Sequence, residues 1–172
     1  MTDQPIWLLD FDGVVNVLAP RGDESAWTDW NIHGESAHPD SLPWFLWSST
    51  VASLVREARD AGVCVMWLTS WEASMRNAEK VVTELPEGLD ILTRADNHTN
   101  SRYWKAGAAR SVIREGVPVL WTDDDLSKIL RPKDDKEWAQ RMDTTRIAPN
   151  PAVGLTPKHV AQIRSWIKRV TK

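Results

Sequence analysis

Short apolar runs alternate along this chain with stretches whose apolar positions recur at helical spacing, a pattern that predicts an α/β fold around a mostly parallel sheet. The first run, Ile6-Trp7-Leu8-Leu9, reads as a strand buried on both faces, and it delivers Asp10-Phe11-Asp12-Gly13-Val14 at its carboxyl end. From Leu18 to Ser48 the pattern breaks. Pro20, Gly22, Gly34, Pro39 and Pro43 punctuate a segment too long for the ~2–6 residues that ordinarily join a strand to its helix. Positions 18–48 are therefore expected to form a flap, or small cap insertion, after the first strand, with Trp27 to Ile32 as part of a hairpin.

Helical spacing resumes at Ser49, with Val51, Leu54, Val55 and Ala58 on one face and Gly62 as the C-terminal stop. Val63 to Leu68 predicts a second buried strand. Thr69-Ser70-Trp71-Glu72 then fits a capping box for a helix that carries Met75, Ala78, Val82 and Leu85 and stops at Pro86. Leu89 to Leu92 gives a weaker third strand, and the polar loop Asp96 to Ser101 leads into a helix from about Arg102 to Arg114, with Lys105 in its first turn. Val117 to Trp121 is the fourth strand; Pro118 marks the place where its ladder begins, and Thr122-Asp123-Asp124-Asp125 follows. Lys128 to Met142 reads as charged, partly helical and solvated, and Thr145 to Ala148 as a fifth, edge strand. The last helix has Thr156 as N-cap, Pro157 at its first position, and Val160, Ile163, Ile167 and Val170 as its buried stripe.

A length of 172 residues with 42% hydrophobic content suits one well-buried core, so a single domain over 1–172 is expected. A net charge of -3 supplies no global basic field, and a nucleic-acid partner, though possible, is not indicated by charge and needs a local basic patch. Cys64 is the sole cysteine and reads as a buried small hydrophobe, which excludes a disulfide framework. Neither a basic leader nor an apolar run near ~20 residues is present, so no membrane contact is expected and a cytoplasmic location is the default. His33, His38, His98 and His159 share no ligand spacing, which argues against zinc. Of the eleven tryptophans, Trp7, Trp67 and Trp121 sit in strands and are expected in the core. Trp27, Trp30, Trp44 and Trp47 fall in the flap, where they either stack on a base or sugar or pin the flap to the domain.

Alternation along an extended backbone puts Asp10 and Asp12 on one side and turns Phe11 into the core. Two carboxylates held close repel each other unless a cation or a shared proton offsets the repulsion, which makes the pair a functional-site candidate. Asp10 and Asp12, Thr69, and Asp123 with Asp124 all follow strands, and open α/β sheets bind ligands outside the carboxyl ends of their strands. Lys105, at a helix start, can reach the same rim. Plainer readings stand beside these. The Asp pair could be a turn or a calcium loop, but an EF-hand puts Gly sixth and Glu twelfth, where this chain has Val15 and Arg21. Thr69 could serve as a cap, Lys105 as a solvated helix residue, and one of the three consecutive carboxylates as an N-cap for Leu126 to Leu130.

Leu-Leu-Asp10-Phe-Asp12-Gly-Val-Val resembles the first motif of the haloacid dehalogenase (HAD) superfamily of phosphohydrolases. Leu68-Thr69-Ser70 is similar to its second motif, Lys105 to its third, and Trp121-Thr122-Asp123-Asp124 to its acidic fourth. The match runs in the family's order from residue 6 to about 125, and its phrasing most resembles small, cap-less members from actinobacteria and their phages. The resemblance implies a three-layer Rossmann-like (HAD-like) parallel sheet with helices on both faces. It also implies a Mg²⁺-dependent phosphomonoester hydrolase. In that reading Asp10 attacks phosphorus to give an aspartyl-phosphate, and Asp12 protonates the leaving oxygen and then activates water, its backbone carbonyl helping to hold Mg²⁺. Thr69 bonds a phosphoryl oxygen, with Ser70 as rival, and Lys105 neutralises the phosphate and orients Asp10. Asp10 and Asp123 ligate Mg²⁺, with Asp124 in support. Arg21 and Trp30 are candidate substrate contacts. The substrate is expected to be a small phosphomonoester, with a nucleotide attractive. Alternatives are a 3′-phosphatase that processes nucleic-acid ends, or a non-catalytic protein that binds or sequesters nucleotides.

Overall fold

The computed structural model describes residues 4–34, 45–94, 103–130, 133–142 and 144–172. Trp44, His38, Pro39, Pro43 and the polar loop at 96–101 with Arg102 lie outside the described residues. A five-stranded, all-parallel sheet organises the rest, in the order β5 (Asp90–Ile91), β4 (Cys64–Trp67), β1 (Ile6–Leu9), β6 (Val119–Thr122), β7 (Thr144–Ile147). β1 lies at the centre, and its side chains alternate between two cores as a strand buried on both faces requires. Trp7 and Leu9 join α1 (Ser49–Asp60), α2 (Met75–Val81) and α6 (Pro157–Val170) on one side. Ile6 and Leu8 join α3 (Trp104–Val112), α4 (Leu126–Ile129) and α5 (Lys133–Arg141) on the other. The result is the parallel α/β sheet that the alternating pattern predicts, in the three-layer, Rossmann-like arrangement that the resemblance implies.

Trp7, Trp67 and Trp121 are fully buried, and β6 begins at Val119, one residue past Pro118, whose carbonyl accepts from the Ile6 amide. β7 is an edge strand. Three expectations need correction. No capping box forms at Thr69: Glu72 takes a φ of 44° and opens a short 3₁₀ turn over Glu72–Ser74, while its carboxylate pairs with Arg94 at 3.7 Å, so α2 begins only at Met75. Nor is the charged segment after Lys128 simply solvated. Leu126, Ile129, Leu130, Trp138 and Ala139 are buried in the second core, because α4 and α5 turn their few apolar positions onto the sheet and leave the charges outside. Cys64 is half-buried rather than enclosed. Among the described residues, no helix is long and apolar enough to cross a membrane.

Within the segment between β1 and α1, β2 (Trp30–His33) pairs antiparallel with β3 (Phe45–Ser48), Trp30 opposite Ser48. This hairpin is fastened at several points. The Trp27 indole donates to the Leu155 carbonyl at 2.8 Å, and the Trp47 indole donates to Glu84 at 3.2 Å. Asp29 reaches from the hairpin to the N-terminus of α1, accepting from the Thr50 amide at 2.7 Å, the Thr50 hydroxyl at 2.6 Å and the Ser48 hydroxyl at 2.7 Å. Ser48 is itself the N-cap and accepts from the Val51 amide at 3.3 Å. Two of the helix's orphan amides are thus satisfied, one by its own cap and one by the hairpin.

Burial alone would raise the Asp29 carboxyl, but the hydrogen bonds from Thr50 and Ser48 outweigh it and hold the group below its usual value of 3.8. A depressed carboxyl stabilises the fold above the unfolded value, and that contribution disappears as pH falls through the folded value. Asp29→Ala is expected to cost about 1–2 kcal/mol at neutral pH, the range for a lost helix cap. In urea melts, the gap to wild type should narrow progressively below pH ~4. A constant gap down to acid pH would mean the loss comes from packing instead.

Candidate active site

Strand order reverses at β1: the chain runs outward to β4 and β5 on one side, then returns to β6 and β7 on the other. Connections leaving β1 and β6 diverge to opposite faces, and a crevice opens at their carboxyl ends. Asp10 and Asp123 stand there, each one residue beyond its strand, with Leu9 and Thr122 in register. Their backbones remain stitched into the sheet. The Asp10 amide donates to the Thr122 carbonyl at 3.0 Å and the Asp123 amide to the Ile147 carbonyl at 3.1 Å.

Lys105, on the first turn of α3, spans both carboxylates. Its ammonium donates to Asp10 Oδ2 at 2.6 Å and to Asp123 Oδ2 at 2.7 Å. The second oxygen of each carboxylate is also engaged: Asp10 Oδ1 accepts from the Phe11 amide at 2.8 Å and Asp123 Oδ1 from the Asp125 amide at 2.9 Å. Asp124 completes the group. A carboxylate oxygen from each of Asp10, Asp123 and Asp124 lies within 4.8 Å of the others. Gly13 makes room for it: a methyl group at that position would come within 2.6 Å of Asp124 Cγ, and the left-handed φ of +71° disfavours any side chain there.

Electrostatics at the site are under strain. Burial, then the neighbouring Asp10 charge, push the Asp123 carboxyl up to about 7. Burial, then Asp10 and Asp125, push Asp124 up to about 6. Burial would lower the Lys105 ammonium, yet the Asp10 and Asp123 charges outweigh it and raise the group above its ordinary value. Fully ionised, the three carboxylates and one ammonium carry a net charge of two minus, in a pocket of hard oxygen donors. Such a donor set fits a small divalent cation such as Mg²⁺, with Asp10, Asp123 and Asp124 able to hold it.

Asp12 stands outside this carboxylate group. Its Oδ1 accepts from the Asn16 side-chain amide at 2.7 Å and its Oδ2 from the Trp71 indole at 2.7 Å. Neither Asn16 nor Trp71 stands out in the sequence as a site residue. The only signal for them is position, Asn16 just after the Asp pair and Trp71 just after Thr69. Thr69 is buried, its hydroxyl accepting from the Trp71 amide at 3.4 Å, and Ser70 beside it is exposed. Arg21 is exposed and lines a separate cavity of about 470 Å³ with Asp23, Glu24 and Ala152. The Trp30 ring packs onto Gly22 and its indole donates to the Asp23 carbonyl at 3.2 Å.

No protein-family model matches the chain, and no curated protein matches it. Its structure is similar to that of the HAD domain of effector protein Lem4 from Legionella pneumophila, with a TM-score of 0.59, 15% identity and 98% of each chain covered. At that identity the likeness shows the fold, which is HAD-like, and the chemistry has to be argued from this chain's own residues.

A cation at this site competes with protons. A carboxyl raised in the folded state binds more protons there than in the unfolded chain, so without metal its ionisation removes stability as pH climbs from ~4 through the raised values. Mg²⁺ is therefore expected to raise the melting temperature more at pH 8, where Asp123 and Asp124 are ionised, than at pH 5.5. Calorimetry at both pH values checks this; equal shifts, or none, would remove the cation from this site.

Proposed function

We propose that this chain is a Mg²⁺-dependent phosphomonoester hydrolase working through an aspartyl-phosphate on Asp10. The observation that carries the reading is the meeting of Asp10, Lys105, Asp123 and Asp124 at the carboxyl ends of β1 and β6, the crevice where this fold binds ligands. When bound, Mg²⁺ would be held by Asp10 and Asp123, with Asp124 and the Asp12 backbone carbonyl in support, and it would neutralise charge on the phosphoryl oxygens.

A carboxylate attacks a dianionic ester poorly in water because like charges repel. The Lys105 ammonium, fixed against Asp10, lowers that repulsion and holds the nucleophile in one orientation. An Asp10 oxygen forms the bond to phosphorus as the bond to the leaving oxygen breaks, and Asp12 gives that oxygen a proton. Asp12 then takes a proton from water as the water attacks phosphorus, which frees phosphate and regenerates Asp10. The Thr69 hydroxyl, with Ser70 beside it, supplies a donor for a phosphoryl oxygen. In this reading the segment between β1 and α1 is a small flap rather than an extensive cap, which would leave the site open to a bulky substrate such as a nucleotide.

Purified protein is expected to release phosphate from phosphomonoesters with Mg²⁺ and to lose that activity on chelation. Asp10→Asn should lower turnover by at least about 10³-fold while leaving the melting temperature near wild type, as removal of a nucleophile does. A screen over nucleotides, sugar phosphates and 3′-phosphorylated oligonucleotides identifies the substrate class. Tight nucleotide binding with no phosphate release from any ester would replace the hydrolase by a binding protein.

A further inference from the structure

Asp12 has the most demanding task in the reaction, since it must present a proton to one oxygen and then recover one from another. Its side chain is held from two directions. The Asn16 amide donates to Oδ1 and the Trp71 indole donates to Oδ2, both at 2.7 Å. A carboxylate oxygen can accept more than one hydrogen bond, so these two bonds orient the group without saturating it.

Both of these residues are buried and both are in turn held by β3 of the hairpin. Asn16 Oδ1 accepts from the Leu46 amide at 2.9 Å. That bond fixes which end of the Asn16 amide faces Asp12, because a flipped amide would set NH₂ against the Leu46 N–H and leave an oxygen facing the Asp12 carboxylate. The Trp71 ring packs against Phe45 of β3 at 5.4 Å and edge-on against Phe11 at 5.4 Å. Phe11 meets Phe45 at 5.6 Å and closes the cluster. One strand of the hairpin therefore sets the position of both donors, one by a backbone hydrogen bond and one by ring packing.

Resting on the hydrolase reading, we propose that Trp71 and Asn16 are its positioning residues: together they fix Asp12 at the angle from which it protonates the leaving oxygen, and β3 holds both in place. In that step the bond from Asp10 to phosphorus forms, the bond from phosphorus to the leaving oxygen breaks, and the Asp12 proton passes to that oxygen. The water step returns a proton to Asp12.

Leaving groups distinguish this role from simple packing. A dinitrophenyl phosphate expels its phenolate without a proton, whereas an alkyl phosphate needs one, and kcat/KM for both reports the step in which the ester bond breaks. Trp71→Phe keeps a ring in the cluster and removes the N–H. It is expected to lower kcat/KM on the alkyl ester by about 10- to 100-fold, part of the ~10²–10⁴ that general acid catalysis supplies, and on the dinitrophenyl ester by less than about threefold. Asn16→Asp, which still accepts from Leu46 but sets a carboxylate against Asp12, should show the same selective loss and decides the matter if Trp71→Phe does not fold. Equal losses on the two esters, or none, would overturn the positioning role. A wild-type protein that hydrolyses neither ester with Mg²⁺ present would instead remove the hydrolase reading, and this inference with it.

Discussion

The Lys105 ammonium between Asp10 and Asp123 is the interaction on which the arrangement at the sheet's end depends. Three carboxylates gathered in one crevice repel one another, and burial first, then that repulsion, raises Asp123 to about 7 and Asp124 to about 6. A single ammonium that touches two of them offsets part of that repulsion where the loops after β1 and β6 meet. The lysine can do so because α3 begins at Trp104, directly over the crevice, so that a residue of its first turn points back toward the strand ends. An ion pair this buried contributes little net stability, since desolvation consumes much of the attraction. Its value lies in orientation: it fixes where the Asp10 oxygens point.

Such a charged site needs rigid support, and the sheet supplies it. β1 is the central strand, it feeds both hydrophobic cores, and its Trp7 indole donates to the Thr122 hydroxyl of β6 at 2.9 Å. The two strands that carry the acidic residues are thus locked to each other by backbone and side chain in a region from which water is excluded. Sites built on strand ends in this way hold their geometry better than sites on free loops. The hairpin extends the same logic to Asp12, which lies on a turn and depends on partners from elsewhere for its orientation.

The sequence made some of this legible and hid the rest for identifiable reasons. Asp10 and Asp123 could be found because each interrupts an apolar run, and a carboxylate ending a buried strand in an α/β pattern marks the ligand-binding rim. Lys105 carries no such local sign: it was legible only through the order of motifs, and its pairing with Asp10 spans 95 positions. The grip of Trp71 on Asp12 spans 59 positions and pairs two residues that each have a sufficient local explanation, so nothing in the pattern connects them. The capping box at Thr69 failed for the opposite reason. The local signal was present, but Glu72 was drawn to Arg94, a partner no short-range rule includes, and the helix start moved to Met75. In the segment after Lys128, the abundance of charge masked the two-sided character of α5, whose Trp138 and Ala139 are enough to anchor it.

Charge balance also bears on the proposal that this constellation takes a phosphate ester. With all groups ionised the pocket carries two negative charges, and a phosphomonoester near neutral pH brings up to two more, an encounter that is unfavourable by several kcal/mol at these distances even with substantial screening. In the proposed reaction a divalent cation held by these carboxylates would cancel the first two charges, leaving the Lys105 charge to attract the substrate. Each component of that proposed reaction is therefore conditional on another: the carboxylates would need the cation, the cation would need carboxylates freed of protons, and Asp10 would need both before an anion could approach it. Without Asp123, Lys105 would pair with Asp10 alone and tighten its hold on Asp10 Oδ2. On that reading the site is one electrostatic unit in which Asp123, by sharing the lysine, keeps Asp10 available for attack.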